Sequence, residues 1–327
     1  QDEDKRRLKR YQNVLWFVDS DGAKLLKHTP QTLKLGLLEL LSPEDVDETI
    51  EHFLLINTFS IPDVLCANAI MERDTNAYNF LLSRIHMICE TTLRARKTRQ
   101  EEGFVLQANI LENLHHYISS RISDSCEDLM SNEPVAIVGA GPSLDVSIDA
   151  LAQLQGEIHV FATDSALASL HARGIQPTAT FSIDAEKPAK SCVPAGLDPG
   201  LVFLASKSPH DWLGNGFDTV FLSGRNLTED WLAQNKIAKS QIQCLGNCGI
   251  TAVNVASFLG CSPILLFGMD HATDESGAGH ATDVDQGISR GKRHNPSGQH
   301  PKVPGNYQAQ VKTFMLKEWE QLNKLLD

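Results

Sequence analysis

The turn at residues 139–144 (GAGPSL) is the segment whose residue types are best suited to bind a ligand. It follows a β-rich apolar run and precedes a helical pattern. Glycines let the backbone approach a ligand closely, and N–H groups at the start of a helix attract phosphate. Proline suits the first helical turn, and serine adds a hydroxyl donor. The nucleotide-binding residues predicted here are Gly139, Gly141, Pro142 and Ser143. A merely structural tight turn is the alternative interpretation.

Three aspartates, Asp164, Asp184 and Asp270, each follow directly after a predicted strand. In an open α/β sheet, ligands bind at the carboxyl ends of the strands. Carboxylates there can hold Mg²⁺, accept hydrogen bonds from ribose hydroxyls, or act as a base. We predict that Asp164 and Asp184 contact the nucleotide, although Asp164 could instead cap the helix that follows it. Asp270 opens into a long polar loop, and we predict that it is catalytic.

That polar loop, residues 270–304, contains the histidines His271, His280, His294 and His300. A loop of this length in a compact domain is usually functional or disordered. A histidine beside a ligand can act as a general base or acid near neutral pH, whereas an arbitrary loop histidine is more often solvated. Because no pair has the spacing of metal ligands, a zinc site is not expected.

Two further pairs of residues, each at a predicted helix, could contribute to a ligand site. Asn247 and Thr251 flank Cys248-Gly249-Ile250 at a predicted helix start, where they could bind a phosphate or a base edge. Lys312 and Thr313 could do the same from the final helix, predicted over about 308–326. No second cysteine or Cys/His pair of zinc-site spacing accompanies Cys244 and Cys248, so we interpret both as small buried thiols.

The elements that must position these residues change character near residue 132. From there, short β-rich runs alternate with helical stretches, which predicts a Rossmann-like α/β domain over 132–327, with a mainly parallel sheet covered by helices on both faces. Leu144 replaces the third glycine of the dinucleotide fingerprint, so an ordinary NAD dehydrogenase is not expected. Residues 1–131 form a mostly helical region, with helices expected near 43–54, 76–96 and 101–122 and a possible strand at 11–19.

Composition narrows the classes of partner. The 327 residues carry a formal net charge of -12, which disfavours nucleic-acid binding because that needs a basic face. No apolar run reaches the 18 residues of a membrane span, and the charged start does not resemble a signal peptide. The seven scattered cysteines suit reduced thiols better than a disulfide framework. These features predict a cytoplasmic protein.

Four segments resemble the domain shared by Maf motility accessory factors and MptE-like proteins. They are PVAIVGAGPSLD (134–145), FATDSALASLHARGIQPTATFSID (161–184), CGITAVNVASFLGCSPILLFGMD (248–270) and VPGNYQAQVKT (303–313). They follow one another in family order. GFVLQANILENL (103–114) is similar to the helix that precedes this domain in Maf proteins.

The resemblance implies two chemistries. Maf proteins are bacterial glycosyltransferases thought to move a nonulosonic acid from its CMP-activated form to flagellin Ser or Thr, with no cofactor. MptE proteins are 6-hydroxymethyl-7,8-dihydropterin diphosphokinases that use ATP and Mg²⁺, which here would involve Asp164, Asp184 and Asp270. Length favours the Maf interpretation, and a non-catalytic nucleotide-binding role is the third possibility.

The Maf interpretation assigns roles to particular residues. By analogy with sialyltransferases, His280 would be the base that deprotonates the acceptor hydroxyl. Two departures from the Maf pattern are visible: Gly279 replaces a threonine beside His280, and Gly268-Met269-Asp270-His271 replaces the usual Gln-Asp-Leu arrangement.

Overall fold

A computed structural model describes residues 14–18, 33–37, 43–56, 64, 75–101, 103–275, 277–282, 302–305, 310–313 and 315–326. The chain divides into two compact units, Gln1–Gly103 and Phe104–Asp327. The boundary expected at residues 131/132 stays a prediction.

The first unit combines a short parallel strand pair with two helices. Strand β1 (Val14–Val18) pairs in parallel with β2 (Leu33–Leu37). Helix α1 (Pro43–Ile56) begins at Pro43, as a proline at the first helical position predicts, and it contacts helix α2 (Thr75–Glu101). Their shared core consists of apolar side chains at helical spacing, chiefly Val46, Ile50, Leu54, Leu81 and Ile88.

A six-stranded parallel sheet organises the second unit. Its strands are β3 (Val135–Val138), β4 (His159–Thr163), β5 (Ala179–Ser182), β6 (Leu201–Ala205), β7 (Thr219–Leu222) and β8 (Ile264–Phe267). The spatial order is β7-β6-β5-β4-β3-β8. After β7 the chain crosses back to place β8 on the other side of β3, so the strand order reverses at β3. A ligand crevice is expected outside the carboxyl ends of β3 and β8.

Helices cover both faces of this sheet, as its continuous apolar strands require. The helices of the second unit are α3 (Gly103–Ser119), α4 (Leu144–Gln153), α5 (Leu167–Ala172), α6 (Ala189–Cys192), α7 (Asp211–Gly214), α8 (Leu227–Gln234), α9 (Cys248–Phe258) and α10 (Leu316–Leu326). One core layer contains residues of α4 and α5, and the other contains residues of α9 and α10. The predicted Rossmann-like α/β fold is therefore confirmed.

The C-terminal end differs from the sequence prediction. Strand β9 (Lys302–Val303) pairs antiparallel with β10 (Val311–Lys312), and α10 begins only at Leu316. Lys312 and Thr313 therefore do not lie on the final helix, which corrects the prediction for them. The cause is tertiary: Thr313 Oγ1 donates to the carbonyl of His271 and accepts from Met315 N, at 2.5 and 2.9 Å, which fixes the chain before α10.

Within the part of the chain that the structure describes, no helix is both long enough and apolar enough to cross a bilayer.

Candidate functional site

The glycine turn lies at the β3–β8 end of the sheet, packed tightly against the segment that follows β8. Gly141 N donates to Gly268 O at 2.8 Å. A Cβ on Gly141 would lie 2.3 Å from Asp270 Oδ2, and one on Gly268, whose φ is +61°, would lie 2.4 Å from Gly139 O. The glycines of this turn therefore allow close contact between two segments of the protein itself, a reason that their spacing alone did not reveal.

The start of α4 already carries an anion, because Asp270 binds there. Asp270 is 5% exposed, and its Oδ2 accepts from Ser143 N at 2.8 Å. The next two amides, of Leu144 and Asp145, donate to the carbonyls of Gly141 and Pro142. A carboxylate thus occupies the position where phosphate was predicted, consistent with the preference of helix starts for negative charge.

A segment of the polar loop docks onto this turn and brings His280 to it. Ala281 N donates to Ala140 O at 2.9 Å, and the Ala281 side chain is buried in the sheet core. Thr282 Oγ1 donates to Asp145 Oδ2 at 2.7 Å. His280 is exposed immediately before this anchor. The structure therefore brings His280 beside the turn, whereas His294 and His300 lie outside the described residues.

Asp164 is a buried ion-pair partner at the carboxyl end of β4. It is 1% exposed, and its Oδ1 accepts from Lys187 Nζ at 3.0 Å while its Oδ2 accepts from Ser182 Oγ at 2.9 Å. Lys187 Nζ also donates to Ser165 Oγ at 2.5 Å. Burial by itself lowers the pKa of Lys187, but the charge and hydrogen bond of Asp164, together with the nearby Cys248 and Asp184, more than offset this, so the pKa is raised and the lysine stays protonated.

Lys187 was not among the residues predicted from sequence. A basic residue shortly after β5, next to a proline, was the available signal, but nothing in the local pattern indicated its partner 23 residues away. Asp184 is exposed and its Oδ1 accepts from Glu186 N at 3.0 Å, which leaves its side chain at the surface.

Asn247 and Thr251 stabilise the start of α9. Asn247 is its N-cap, and its Oδ1 accepts from Ile250 N at 2.9 Å. Thr251 is fully buried; its Oγ1 donates to Asn247 O and accepts from Leu245 N. The predicted location at a helix start is confirmed, while the polar side-chain atoms named here are engaged with the protein.

His271 follows Asp270 directly and lies beyond the carboxyl end of β8, where a ligand crevice is expected. Its Nε2 contacts Asn247 Nδ2 at 2.9 Å, and its backbone φ is +49°, an unusual value for a residue other than glycine. Burial lowers the pKa of His271 to about 4, so the imidazole is neutral near pH 7. We call the residues Gly139–Ser143, Asn247, Asp270 and His271 the switch-point crevice.

The other end of the same sheet edge is closed by α3. Asn109 Nδ2 donates to the carbonyls of Ala185 and Lys207, which follow β5 and β6. One turn later Asn113 Nδ2 donates to the carbonyls of Ser206 and Ser208. We call the contacts of Asn109, Asn113 and Tyr117 with these loops the α3 seam.

Tyr117 completes the seam through a buried acid. Its hydroxyl donates to Glu229 Oε2 at 2.7 Å, and burial together with this hydrogen bond raises the pKa of Tyr117. Glu229, 1% exposed, also accepts from Ser206 Oγ, Gly224 N and Asn226 Nδ2. Glu229 therefore accepts four hydrogen bonds from groups of the chain itself.

The carboxylates do not form a cluster of the kind that binds a divalent ion. Among the described residues, no group of three or more His, Cys, Asp or Glu is arranged to hold a metal ion. Asp164 is paired with Lys187, Asp270 binds Ser143, and Asp184 is exposed. The arrangement expected for Asp164, Asp184 and Asp270 around Mg²⁺ does not fit this geometry. Cys248 lies nearby, and burial raises its thiol pKa well above the usual value.

Comparisons with known proteins agree with this architecture. A family model described as 6-hydroxymethylpterin diphosphokinase MptE-like matches residues 108–276, slightly more than half of the chain. Among solved structures, the Maf glycosyltransferase from Magnetospirillum magneticum AMB-1 is similar, with 16% identity and a TM-score of 0.54. The match covers 94% of this chain and 46% of that one, so this chain spans about half the length of that protein. No curated protein matches.

Proposed function

We propose that this chain, which belongs to the 6-hydroxymethylpterin diphosphokinase MptE-like family, is a transferase of nucleotide-activated substrates. Specifically, we propose a Maf-like glycosyltransferase, because the fold is similar to that of a Maf glycosyltransferase. Its donor would be a CMP-activated nonulosonic sugar, and its acceptor a Ser or Thr hydroxyl of a protein such as flagellin. The similarity to the Maf structure supports the fold on which this activity would rest.

The docking of Ala281 and Thr282 on the glycine turn and on the first turn of α4 is the observation that carries the proposal. The contacts of Ala281 with Ala140 and of Thr282 with Asp145 hold His280 at the ligand edge of the sheet. A general base must lie within reach of the acceptor proton, and the anchoring of the neighbouring residues supports His280 as the candidate for this role.

The proposed reaction is a direct displacement. The acceptor hydroxyl oxygen attacks the anomeric carbon of the sugar, and a new C–O bond forms. The bond between that carbon and the phosphate oxygen breaks, and CMP leaves with the electron pair. His280 takes the hydroxyl proton. The leading proposal needs no cofactor.

The geometry refines the roles of the aspartates within this proposal. Asp270 binds Ser143 N, so it would act by fixing the turn rather than by touching the reacting atoms. Asp164 would keep Lys187 charged and in place at the carboxyl edge. The exposed Asp184 is the aspartate best placed to accept hydrogen bonds from ribose hydroxyls.

Thermal shift with CMP, CTP, ATP plus Mg²⁺, and NAD tests the nucleotide. We expect CMP to stabilise the protein, because a ligand at 100 times its Kd adds about 2.7 kcal/mol to the free energy of unfolding. Stabilisation by ATP–Mg²⁺ without any response to CMP would replace the proposal with the diphosphokinase alternative, which the family description supports. No response to any of the four would remove both enzymatic proposals in favour of a non-catalytic role.

A transfer assay tests the reaction itself. Incubation with a CMP-activated nonulosonic acid and flagellin should add one sugar mass per modified site by intact mass spectrometry. His280→Ala should lower kcat by about 10²–10⁴-fold with CMP binding retained. His115→Ala removes an exposed histidine of α3 and should have no effect. Full activity in His280→Ala would show that another group takes the proton.

A further inference from the structure

One buried nitrogen of the switch-point crevice has no hydrogen-bond partner among the residues that the structure describes. His271 Nδ1 is closed to solvent, and no described residue hydrogen bonds to it. A buried polar atom left unpaired destabilises a fold by about 1–3 kcal/mol, so such atoms are rare and usually have a purpose. This one lies at the point where the strand order reverses, next to the Asp270 contact with the glycine turn.

The hydrogen bonds around the ring determine which nitrogen carries the proton. Asn247 Oδ1 accepts from Ile250 N, so the amide NH₂ must be the group that faces His271 Nε2. Nε2 is therefore the acceptor, and in the neutral ring the proton is on Nδ1. A doubly protonated ring would set Nε2–H against the Asn247 amide hydrogens, so this contact opposes protonation independently of burial.

We infer that His271 is a binding residue of the crevice, whose Nδ1–H donates to a phosphate oxygen of the bound nucleotide. The inference deepens the proposed function and rests on it. Because Nδ1–H is a donor, the ligand atom that binds it must be a hydrogen-bond acceptor. An anionic oxygen suits this position because the partial positive charge at the start of α9, which Asn247 caps, favours negative charge nearby.

The inference also revises how phosphate would be bound. The first amides of α4 are occupied by Asp270 and by carbonyls of the turn itself. A phosphate oxygen would instead find a neutral, preoriented donor on the neighbouring strand end. Because Nδ1 is closed to solvent in this structure, nucleotide binding must include its exposure to the phosphate.

Two substitutions of His271 separate its two nitrogens. His271→Gln keeps an acceptor at the position of Nε2 for Asn247 and loses the donor at Nδ1. His271→Asn places an amide N–H near Nδ1, and asparagine tolerates the left-handed backbone (φ +49°), but it loses the Asn247 contact. The pair therefore distinguishes ligand binding from support of α9.

The experiment measures binding of CMP and of cytidine by calorimetry to the wild-type chain and to both variants. We expect His271→Gln to weaken CMP about 10- to 100-fold, as for a hydrogen bond to a charged group, and to leave cytidine unchanged. His271→Asn should retain CMP binding within a few-fold. Equal loss of CMP and cytidine, or unchanged CMP binding in His271→Gln, would overturn the inference and leave the proposed function intact.

The wild-type chain supplies a measurement that does not depend on variant folding. The ¹⁵N and ¹H resonances of the His271 imidazole should show a proton on Nδ1. Adding CMP should shift the resonance of this proton downfield. If ATP binds in place of CMP, the same comparison with ATP and adenosine tests His271 while the CMP-specific function fails. Absence of any nucleotide binding would overturn both.

Discussion

The two ends of the sheet edge are built from similar residue types but differ in what their polar groups bind. At the α3 seam, the side chains of Asn109, Asn113 and Glu229 hydrogen bond to other parts of the chain, and those of Asn113 and Glu229 are buried. At the switch-point crevice, Asp270 fixes the turn while His271 keeps one donor unpaired among the described residues. We take the unpaired His271 nitrogen as the mark of a ligand position because it lies where the strand order reverses.

The buried pair between these two ends gives the largest expected effect. Lys187→Met leaves Asp164 charged and unpaired in the interior, so the free energy of unfolding should fall by about 3–5 kcal/mol in urea denaturation. The double variant Lys187→Met/Asp164→Asn should recover most of that loss, because replacing a whole buried pair is nearly neutral.

A matched surface pair provides the control for this effect. Arg173 Nε lies 3.1 Å from Asp149 Oδ1, and both side chains are well exposed. Arg173→Met should change the free energy of unfolding by less than about 1 kcal/mol. If Lys187→Met behaved in the same way, the Asp164 carboxylate would have to be reached by water.

At the closed end, Glu229→Ala should lower stability without touching the site. Four donors, from Tyr117, Ser206, Gly224 and Asn226, would lose their acceptor, and we expect a loss of about 3 kcal/mol in the free energy of unfolding. The nucleotide affinity of the folded fraction should stay unchanged. Glu112→Ala, an exposed substitution on α3, should fall within about 0.5 kcal/mol of the wild type. A matching loss of nucleotide affinity would contradict the division of the edge into two functions.

At the switch-point crevice, protonation of His271 at acid pH should lower the free energy of unfolding. Its folded pKa is about 4, while the unfolded chain takes up the proton near 6.5. The unfolded state therefore binds more protons between these values, and the stability present above pH 6.5 is lost as pH falls towards 4. The contribution is at most about 3.4 kcal/mol.

Comparing melting temperatures across that pH range isolates this contribution. His271→Asn removes the titrating ring, so its melting temperature should fall less between pH 6.5 and 4 than that of the wild type. Parallel curves for the two proteins would show that the ring titrates normally in the folded state.

Short-range sequence patterns were sufficient to predict many of the strands and helix starts of this protein. The apolar runs predicted the strands of the parallel sheet, and Pro43 marked the start of α1. The GAGPSL segment, 139–144, correctly indicated a strand–turn–helix junction, because glycine and proline limit the backbone within a few residues. The position of Asn247 at a helix start was predicted for the same local reason.

Sequence alone determined the six strands of the main sheet, the glycine turn and the helix start at Asn247, and that the sheet is parallel. Tertiary structure decided what those residues touch: Asp270 reaches Ser143 across 127 positions, and Lys187 reaches Asp164 across 23. It also decided that Val311 and Lys312 pair as a strand instead of extending α10, and that His271 is neutral with its proton on Nδ1. Local propensity acts over a few residues, whereas these contacts depend on the order in which the strands assemble, which no single segment encodes.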